Sequence, residues 1–233
     1  ALPLCSDFCI IGALAETPRI QGAGSSRVNP YRVSSPLTEL RKIYGNIVYA
    51  KGYGANEGEL AEVLADEAVT LAKSVPAVLF FAGLDDKTES ENCDRKDLML
   101  PPAQIRLLEK IVAANANVIL VLQAGSVIEI PCLDKLNAVL FAGLGGESGA
   151  EALADIVSGR ISPSGRLSET FVAKLSDNPT YATYAKDPEC MSYSEGIFTG
   201  YRYYDSEEVE VAFPFGYGLG YTDFVYENPV VSG

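Results

Sequence analysis

The sequence contains no histidine and no tryptophan among its 233 residues. Catalysis by a Ser-His-Asp or Cys-His arrangement needs an imidazole that accepts and returns a proton near neutral pH, so both mechanisms are excluded within this chain. Histidine-based zinc and iron sites are excluded for the same reason. Any acid–base chemistry therefore falls to carboxylates, lysine, tyrosine or cysteine.

Positive charge is also scarce, since 18 Lys and Arg residues face 31 Asp and Glu residues for a net charge of −13. Affinity for nucleic acids comes largely from Lys and Arg that neutralise phosphates, so we expect no nucleic-acid partner and a neutral substrate. The chain shows neither an apolar run long enough to span a membrane nor a signal peptide, which leaves cytoplasmic and exported locations both open. The opening "ALPLCSDF" is typical of a chain that continues from a preceding segment.

Cysteines are few and scattered. Their odd number and wide spacing do not fit the framework of a small secreted disulfide fold. Two of them have the spacing CxxxC, but no second cysteine pair or histidine lies nearby to complete a tetrahedral zinc site. We therefore predict unpaired structural thiols and no metal at the five positions, which are Cys5, Cys9, Cys93, Cys132 and Cys190.

The first 160 residues alternate apolar runs with amphipathic segments. Continuous runs rich in Val, Ile, Leu and Phe are typical of strands buried on both faces of a parallel sheet. The alternation predicts an α/β layered sandwich with a mostly parallel central sheet flanked by helices. Strands are predicted over 8–13, 46–52, 77–83, 118–125 and 137–144, and helices over 36–44, 57–73, 103–115 and 147–158. In the second helix, apolar spacing predicts one buried face of Leu60, Val63, Leu64, Ala68 and Leu71.

Beyond residue 160 the helical periodicity fades, and nine of the 13 tyrosines lie between Tyr181 and Tyr226. Frequent Gly and Pro predict an irregular Tyr-rich segment that wraps the sandwich and ends in short strands at 197–204 and 221–227. Tyrosine-rich surface can stack on sugars, although packing with a satisfied hydroxyl is the commoner role.

Two glycine-rich turns resemble nucleotide-binding motifs without matching them. "QGAGSSRVNP" (21–30) has Arg27 in place of the third glycine, and Pro30 and Pro36 argue against a helix directly behind it. "GLGGESGAEALADIV" (143–157) lacks the acidic ribose partner, so close packing of a strand against a helix explains its glycines better. Ser148 is not a nucleophile elbow, because "GESGA" is not GxSxG. A dinucleotide-binding protein is therefore a minor alternative.

The segment "GLDDKTESENCDRKDLMLP" (83–101) places six carboxylates within thirteen residues. Charge runs are usually solvated surface, which is the plain interpretation. However, a long irregular segment inside a compact domain is unusual and tends to be functional. The segment also leaves the carboxyl end of a predicted strand, the edge at which open α/β sheets bind ligands.

Six blocks then carry a resemblance to a known family. They are "IIGALAETPRIQGAGSSRVNP", "ESENCDRKDLMLP", "NVILVLQAGSVIEIPCLDK", "NAVLFAGLGGESGAEALADIVSGRISPSGRLSETF", "YSEGIFTGYRYYD" and "FPFGYGLGYTDF". Their order and spacing resemble the second, α/β-sandwich domain of glycoside hydrolase family 3, the β-glucosidase and β-xylosidase family. The resemblance covers nearly the whole chain and implies one domain over 1–233.

The resemblance implies a retaining β-glycosidase, first of all a β-glucosidase, that acts on a β-glucoside or oligosaccharide and needs no cofactor. Its aspartate nucleophile is expected on a barrel domain absent from this chain, so the isolated chain should be inactive. The family loop E-G-aromatic-D-R corresponds to residues 91–95 and makes Glu91 the acid/base. Ser25 is expected to contact the sugar.

Three residues beside Glu91 also receive expectations, and one of them competes with it for the acid/base role. Glu89 lies two residues from Glu91 and is expected to be exposed or to tune its neighbour. Asp94 and Arg95 are expected to form a charge-assisted pair that orients the loop.

Asn92 and Cys93 replace the usual glycine and aromatic residue, Gly220 replaces a usual serine, and the usual tryptophans are missing. Loss of stacking surface leaves the preference for the aglycone open. The preference for glucosides or xylosides is open as well. The alternative function is a non-catalytic carbohydrate-binding or interaction module of the same fold.

Overall fold

The computed structural model describes residues 2–5, 7–54, 62–184, 186–187 and 189–231. Five strands form one sheet in the order β2-β1-β3-β4-β5, and every neighbouring pair is parallel. This confirms the predicted α/β class and its parallel sheet. The strands are β1 (Phe8–Ile11), β2 (Tyr49–Ala50), β3 (Ala77–Gly83), β4 (Val118–Gln123) and β5 (Ala138–Phe141).

Helices cover both faces of this sheet. Every residue of β3 and β4 is buried, as expected for strands packed on both sides. One apolar cluster joins one sheet face to α1 and α4, and a second joins the other face to α2 and α3. The helices are α1 (Pro36–Tyr44), α2 (Glu62–Lys73), α3 (Pro102–Ala114) and α4 (Gly149–Val157).

Local chemistry sets the ends and faces of these helices. The Ser35 side chain caps α1 by accepting a hydrogen bond from the Thr38 amide at 3.2 Å. In α2 the buried face consists of Ala65, Ala68 and Ala72, whereas Val63 is 80% exposed. The prediction that Val63 faces the core is therefore wrong, whereas Ala68 and Leu71 of the predicted face do pack against it. Leu60 and the predicted helix start at 57 lie outside the described residues.

The C-terminal segment differs most from prediction. Residues 197–204 were expected to form a strand, but Tyr201–Ser206 form the short helix α5, with the Tyr204 side chain buried in the apolar cluster that contains Phe171. Residues 221–227 are irregular and largely exposed. A small antiparallel sheet instead pairs β6 (Phe171–Val172) with β7 (Val211–Phe213). The aromatic run at 197–204 lacks a neighbouring strand, so β-propensity alone does not form one.

No helix in the described ranges is long and apolar enough to cross a membrane. All five cysteines are unpaired, as predicted. In the described part of the chain no three Cys, Asp or Glu side chains come together in a group that could hold a metal ion.

Candidate active site

The strand order places two long loops side by side. The sheet reverses its winding between β1 and β3, and open α/β sheets bind ligands in the crevice at the carboxyl ends of such strands. The chain leaves β1 through residues 12–35 and leaves β3 through residues 84–101, here called the β1 loop and the β3 loop. The first carries Ser25 and the second carries Glu91.

Buried polar contacts fix the β1 loop. The Arg19 amide donates to the side-chain oxygen of Gln123 at 2.8 Å, and the Ile20 carbonyl accepts from the Gly146 amide at 2.9 Å. The Gln21 side chain then closes the loop, because it accepts from the Val28 amide at 2.8 Å and donates to the Val28 carbonyl at 3.0 Å. The loop therefore holds its shape without regular secondary structure.

The β3 loop presents Glu91 at the tip of a tight turn. The Cys93 amide donates to the Ser90 carbonyl at 3.4 Å across the turn. Asn92 lies in the left-handed region with φ 63°. Asparagine tolerates this region better than most residues other than glycine, which explains how the turn forms with Asn92 where the resemblance implies a glycine.

The two loops meet at Glu91. The Ser25 amide donates to Glu91 Oε2 at 2.6 Å, and the Glu91 amide donates to the Ala23 carbonyl at 3.4 Å. Gly24 makes the approach possible, because a Cβ added there would lie 2.6 Å from Glu91 Cβ. The structure thus brings together the two residues predicted for catalysis and sugar contact, whose roles stay predictions.

Glu91 is exposed and readily ionised in this domain. The hydroxyl and the amide of Ser25 hold the pKa of Glu91 below its usual range, because both donate to the carboxylate. A general acid near neutral pH needs a raised pKa. The domain alone therefore keeps Glu91 as a carboxylate.

We expect Ser25→Ala to move the pKa of Glu91 upward, towards the ordinary value of a glutamate. The alanine removes the hydroxyl donor but keeps the amide donor, so the pKa should shift only part of the way. Carboxyl-carbon NMR titration of both proteins measures the change. Ser26→Ala is a matched control that should leave the pKa of Glu91 where it is. An unchanged or lower pKa in Ser25→Ala would contradict the assigned hydrogen bond.

Glu89 is not the exposed residue that the sequence predicts. Its side chain is only 18% exposed and forms an ion pair with Arg19, which is 6% exposed. Burial raises the pKa of Glu89, but hydrogen bonds from Ser126, Gly125 and Arg19 outweigh burial and hold the pKa below its usual range. Arg19 Nη2 also donates to the Glu89 carbonyl at 2.8 Å. Glu89 therefore anchors the loop, and the expectation of exposure is wrong.

The predicted pairing of Asp94 with Arg95 is also wrong. Arg95 Nη1 donates to Ser126 Oγ at 3.0 Å and to the Val127 carbonyl at 2.7 Å. Asp94 Oδ2 instead accepts from the Tyr184 hydroxyl at 3.0 Å. Each side chain fastens the loop to a different neighbour, since the backbone turn points the two consecutive residues apart. That they orient the loop stays a prediction.

The glycine-rich turns do not present open phosphate sites. In "QGAGSS" the Ser25 amide already binds the Glu91 carboxylate, whose negative charge opposes an anion. In "GLGGESG" a Cβ on Gly145 would lie 2.8 Å from Gly149 Cα, in agreement with the close packing expected there. The dinucleotide alternative therefore gains no support.

Sequence reasoning missed Arg19, Ser126 and Tyr184, which hold the β3 loop in place. Arg19 had one available signal: it is the first basic residue of a chain with a large acidic excess, and it lies in the loop after the first strand. Ser126 and Tyr184 lie 37 residues after Glu89 and 90 residues after Asp94, and no local pattern marks such distant contacts.

Comparison with known proteins decides the family. The family model of the glycosyl hydrolase family 3 C-terminal domain matches residues 1–221. The chain belongs to glycoside hydrolase family 3. Thermostable beta-glucosidase B of Acetivibrio thermocellus is 43% identical over 224 residues, which are 95% of this chain and 30% of that protein. An exo-alpha-(1->6)-L-arabinopyranosidase of Bifidobacterium longum is 41% identical over 218 residues, 93% of this chain and 29% of that protein.

The fold matches the family as well. A solved family 3 beta-glucosidase of Bifidobacterium adolescentis superposes with a TM-score of 0.90 at 37% identity, covering 94% of this chain and 33% of that one. The chain is therefore a family 3 C-terminal domain of the kind found in beta-glucosidases. It spans about a third of the length of these relatives, so the activity of a whole enzyme is a matter of proposal.

Proposed function

We propose that this chain is the second domain of a retaining β-glycosidase, first of all a β-glucosidase, and supplies Glu91 as the general acid/base. The observation that carries the proposal is the position of Glu91: an exposed carboxylate at the tip of a tight turn, at the crevice between β1 and β3. Two relatives named as beta-glucosidases support the reaction class.

The reaction needs a second carboxylate from outside this chain. In a retaining glycosidase a nucleophile attacks the anomeric carbon while the acid protonates the leaving oxygen, and the two carboxyl groups lie about 5–5.5 Å apart. We infer that a barrel domain provides this nucleophile and most of the sugar pocket. Its negative charge near Glu91 would raise the pKa of Glu91, opposing the effect of Ser25.

Each residue of the site then has a defined task. Glu91 donates its proton to the glycosidic oxygen as that bond breaks, and the resulting carboxylate removes a proton from the water that releases the sugar. Ser25, held beside Glu91 on the β1 loop, contacts the sugar through its hydroxyl once substrate binds. Asp94 and Arg95 hold the turn through Tyr184 and Ser126, so that the carboxyl group stays in reach of the bond.

Complementation tests this proposal. The 233-residue chain alone should show negligible hydrolysis of an aryl β-glucoside, because it lacks the nucleophile. Adding a family 3 barrel domain, fused or in trans, should restore turnover. A barrel whose nucleophilic aspartate is changed to asparagine is the matched control and should restore none. Full activity of the isolated chain would contradict the two-domain site, and failure of the fused protein to hydrolyse any β-glycoside would favour a binding module.

A further inference from the structure

A large cavity lies on the other side of the loop that carries Glu91. Its volume is about 720 Å³, and it lies between the β3 loop and the C-terminal segment. Its lining includes Ser90, Cys93 and Arg95 of the β3 loop and, from the C-terminal part of the chain, Glu169 and Tyr201. Such a volume is typical of small-molecule sites. Glu91 and Ser25 are not among its described lining residues, so the cavity is separate from their contact.

The cavity wall carries polar groups with unused hydrogen-bonding capacity. Arg95 binds its protein partners through Nη1, while Nε and Nη2 are buried without a partner among the described residues. Thr170 Oγ1 is also buried without a hydrogen-bond partner among the described residues. Buried donors without partners are costly, so oxygen atoms of a ligand or of water are expected beside them.

The charges in the cavity favour a neutral ligand. The lining contains two arginines, Arg95 and Arg202, and three acidic residues, Glu89, Asp94 and Glu169. Desolvation and the negative charge of Glu89 raise the pKa of Glu169, although its side chain is accessible to solvent. An anion would meet three carboxylates, and a cation would meet two guanidinium groups. A ligand that both donates and accepts hydrogen bonds suits this mixture.

An aromatic surface completes the site. The rings of Tyr201 and Phe215 stack with centroids 4.9 Å apart and an interplanar angle of 17°. The Arg202 guanidinium lies over the Tyr201 ring, 5.3 Å from its centroid, so Phe215 supplies the aromatic surface for a ligand. Tyr201 and Phe215 both line the cavity and both are partly exposed, at 40% and 50%. Aromatic faces beside side chains that bind hydroxyl groups suit a sugar ring, which has apolar C–H faces and polar edges.

We propose that this cavity is a second carbohydrate site, behind the acid/base loop, that binds a neutral disaccharide or longer oligosaccharide. Glu169 and Arg95 bind sugar hydroxyls, and Phe215, held by its stacking on Tyr201, packs against a ring face. The site goes beyond the proposed function, because binding here needs neither turnover nor a second domain. Since Ser90 and Cys93 belong to both the cavity wall and the turn at Glu91, an occupant also touches the acid/base loop.

Calorimetry of the 233-residue chain with cellobiose tests the site. We expect saturable binding with a dissociation constant of about 1 mM, weakened about fivefold or more by Glu169→Gln and by Tyr201→Ala. Glu62→Gln, on α2 and outside both the cavity and the proposed active site, should bind as the unaltered chain does. Inorganic phosphate should neither bind nor compete.

The contrary results are equally definite. No saturable binding of cellobiose, binding unchanged in both cavity variants, or binding lost in Ser25→Ala but kept in Glu169→Gln would each overturn the second site. Competition by phosphate would show an anion site instead. Glu169→Gln keeps the size of the side chain, and circular dichroism verifies the fold of each variant. Amide NMR shifts at 90–95 and 199–202 should move on titration. None of these outcomes depends on whether barrel complementation restores hydrolysis.

Discussion

We expect the change Glu91→Gln, made in this chain joined to a family 3 barrel domain, to slow hydrolysis. For glycosides with poor leaving groups the rate should fall by about 10²–10⁴-fold. Glutamine keeps the shape of the side chain and can still accept from the Ser25 amide, so the turn should stay in place. It cannot donate a proton to the glycosidic oxygen or take one from water. Cellobiose and alkyl β-glucosides should therefore lose most turnover, whereas the fold should be unaffected.

Substrates with good leaving groups give a sharper test of the same change. A dinitrophenyl β-glucoside needs no proton on its leaving oxygen, so formation of the glycosyl-enzyme should persist in Glu91→Gln, and its hydrolysis should become limiting. Azide needs no general base, so it should restore turnover and yield a β-glycosyl azide.

Asp97→Asn serves as the matched control, since Asp97 is an exposed carboxylate of the same loop that accepts from the Met99 amide at 2.9 Å. Asparagine can still accept that hydrogen bond, so activity should be retained. Full activity of Glu91→Gln on cellobiose would remove Glu91 from the acid/base role.

Replacing Arg19 by glutamine should lower the free energy of unfolding by about 3–5 kcal/mol. Arg19 is buried with Glu89, and its removal leaves a buried carboxylate without its cation. For a domain of this size the loss corresponds to a fall in Tm of roughly 6–20 °C. Thermal and urea unfolding of the isolated domain measure both quantities.

Arg27→Gln is a close control. Both arginines lie 3.6 Å from Asp86, but Arg27 is 68% exposed, and an exposed ion pair contributes at most about 1 kcal/mol. If Arg19→Gln also lowers the free energy of unfolding by less than about 1 kcal/mol, the buried pair is not the anchor of the loop.

The effect of Arg19→Gln should depend on pH in one direction. The pKa of Glu89 is lowered in the folded protein, so the stability from its ionised form is complete above the unfolded pKa. That stability is lost as pH falls through the folded pKa. The difference between Arg19→Gln and the unaltered protein should therefore shrink in acid.

The central sheet and four of its helices could be predicted from the sequence. The runs at 77–83 and 118–125 are apolar at nearly every position, and burial on both faces leaves little other choice. Helix 36–44 was predicted to the residue, since Ser35, Pro36 and Gly45 mark both of its ends.

The C-terminal segment and the side-chain pairs in the site could not be predicted in this way. The helix Tyr201–Ser206 places Tyr204 in an apolar cluster with Phe171 and Val127, an arrangement of distant residues that no local pattern reveals. The Arg19–Glu89 pair joins residues 70 apart along the chain. Adjacent residues such as Asp94 and Arg95 suggest a pair by proximity, but the direction of each side chain depends on the turn between them.

The contact between Gly24 and Glu91 has a consequence for assembly. The β1 loop holds Glu91 before a barrel domain or a sugar binds. Association therefore does not have to order the glutamate side chain. Ordering such a side chain costs conformational entropy during binding, and here that entropy is lost when the domain folds. The half-site is thus preorganised. The activity of the assembled enzyme should depend on how the two domains meet and little on rearrangement within this domain.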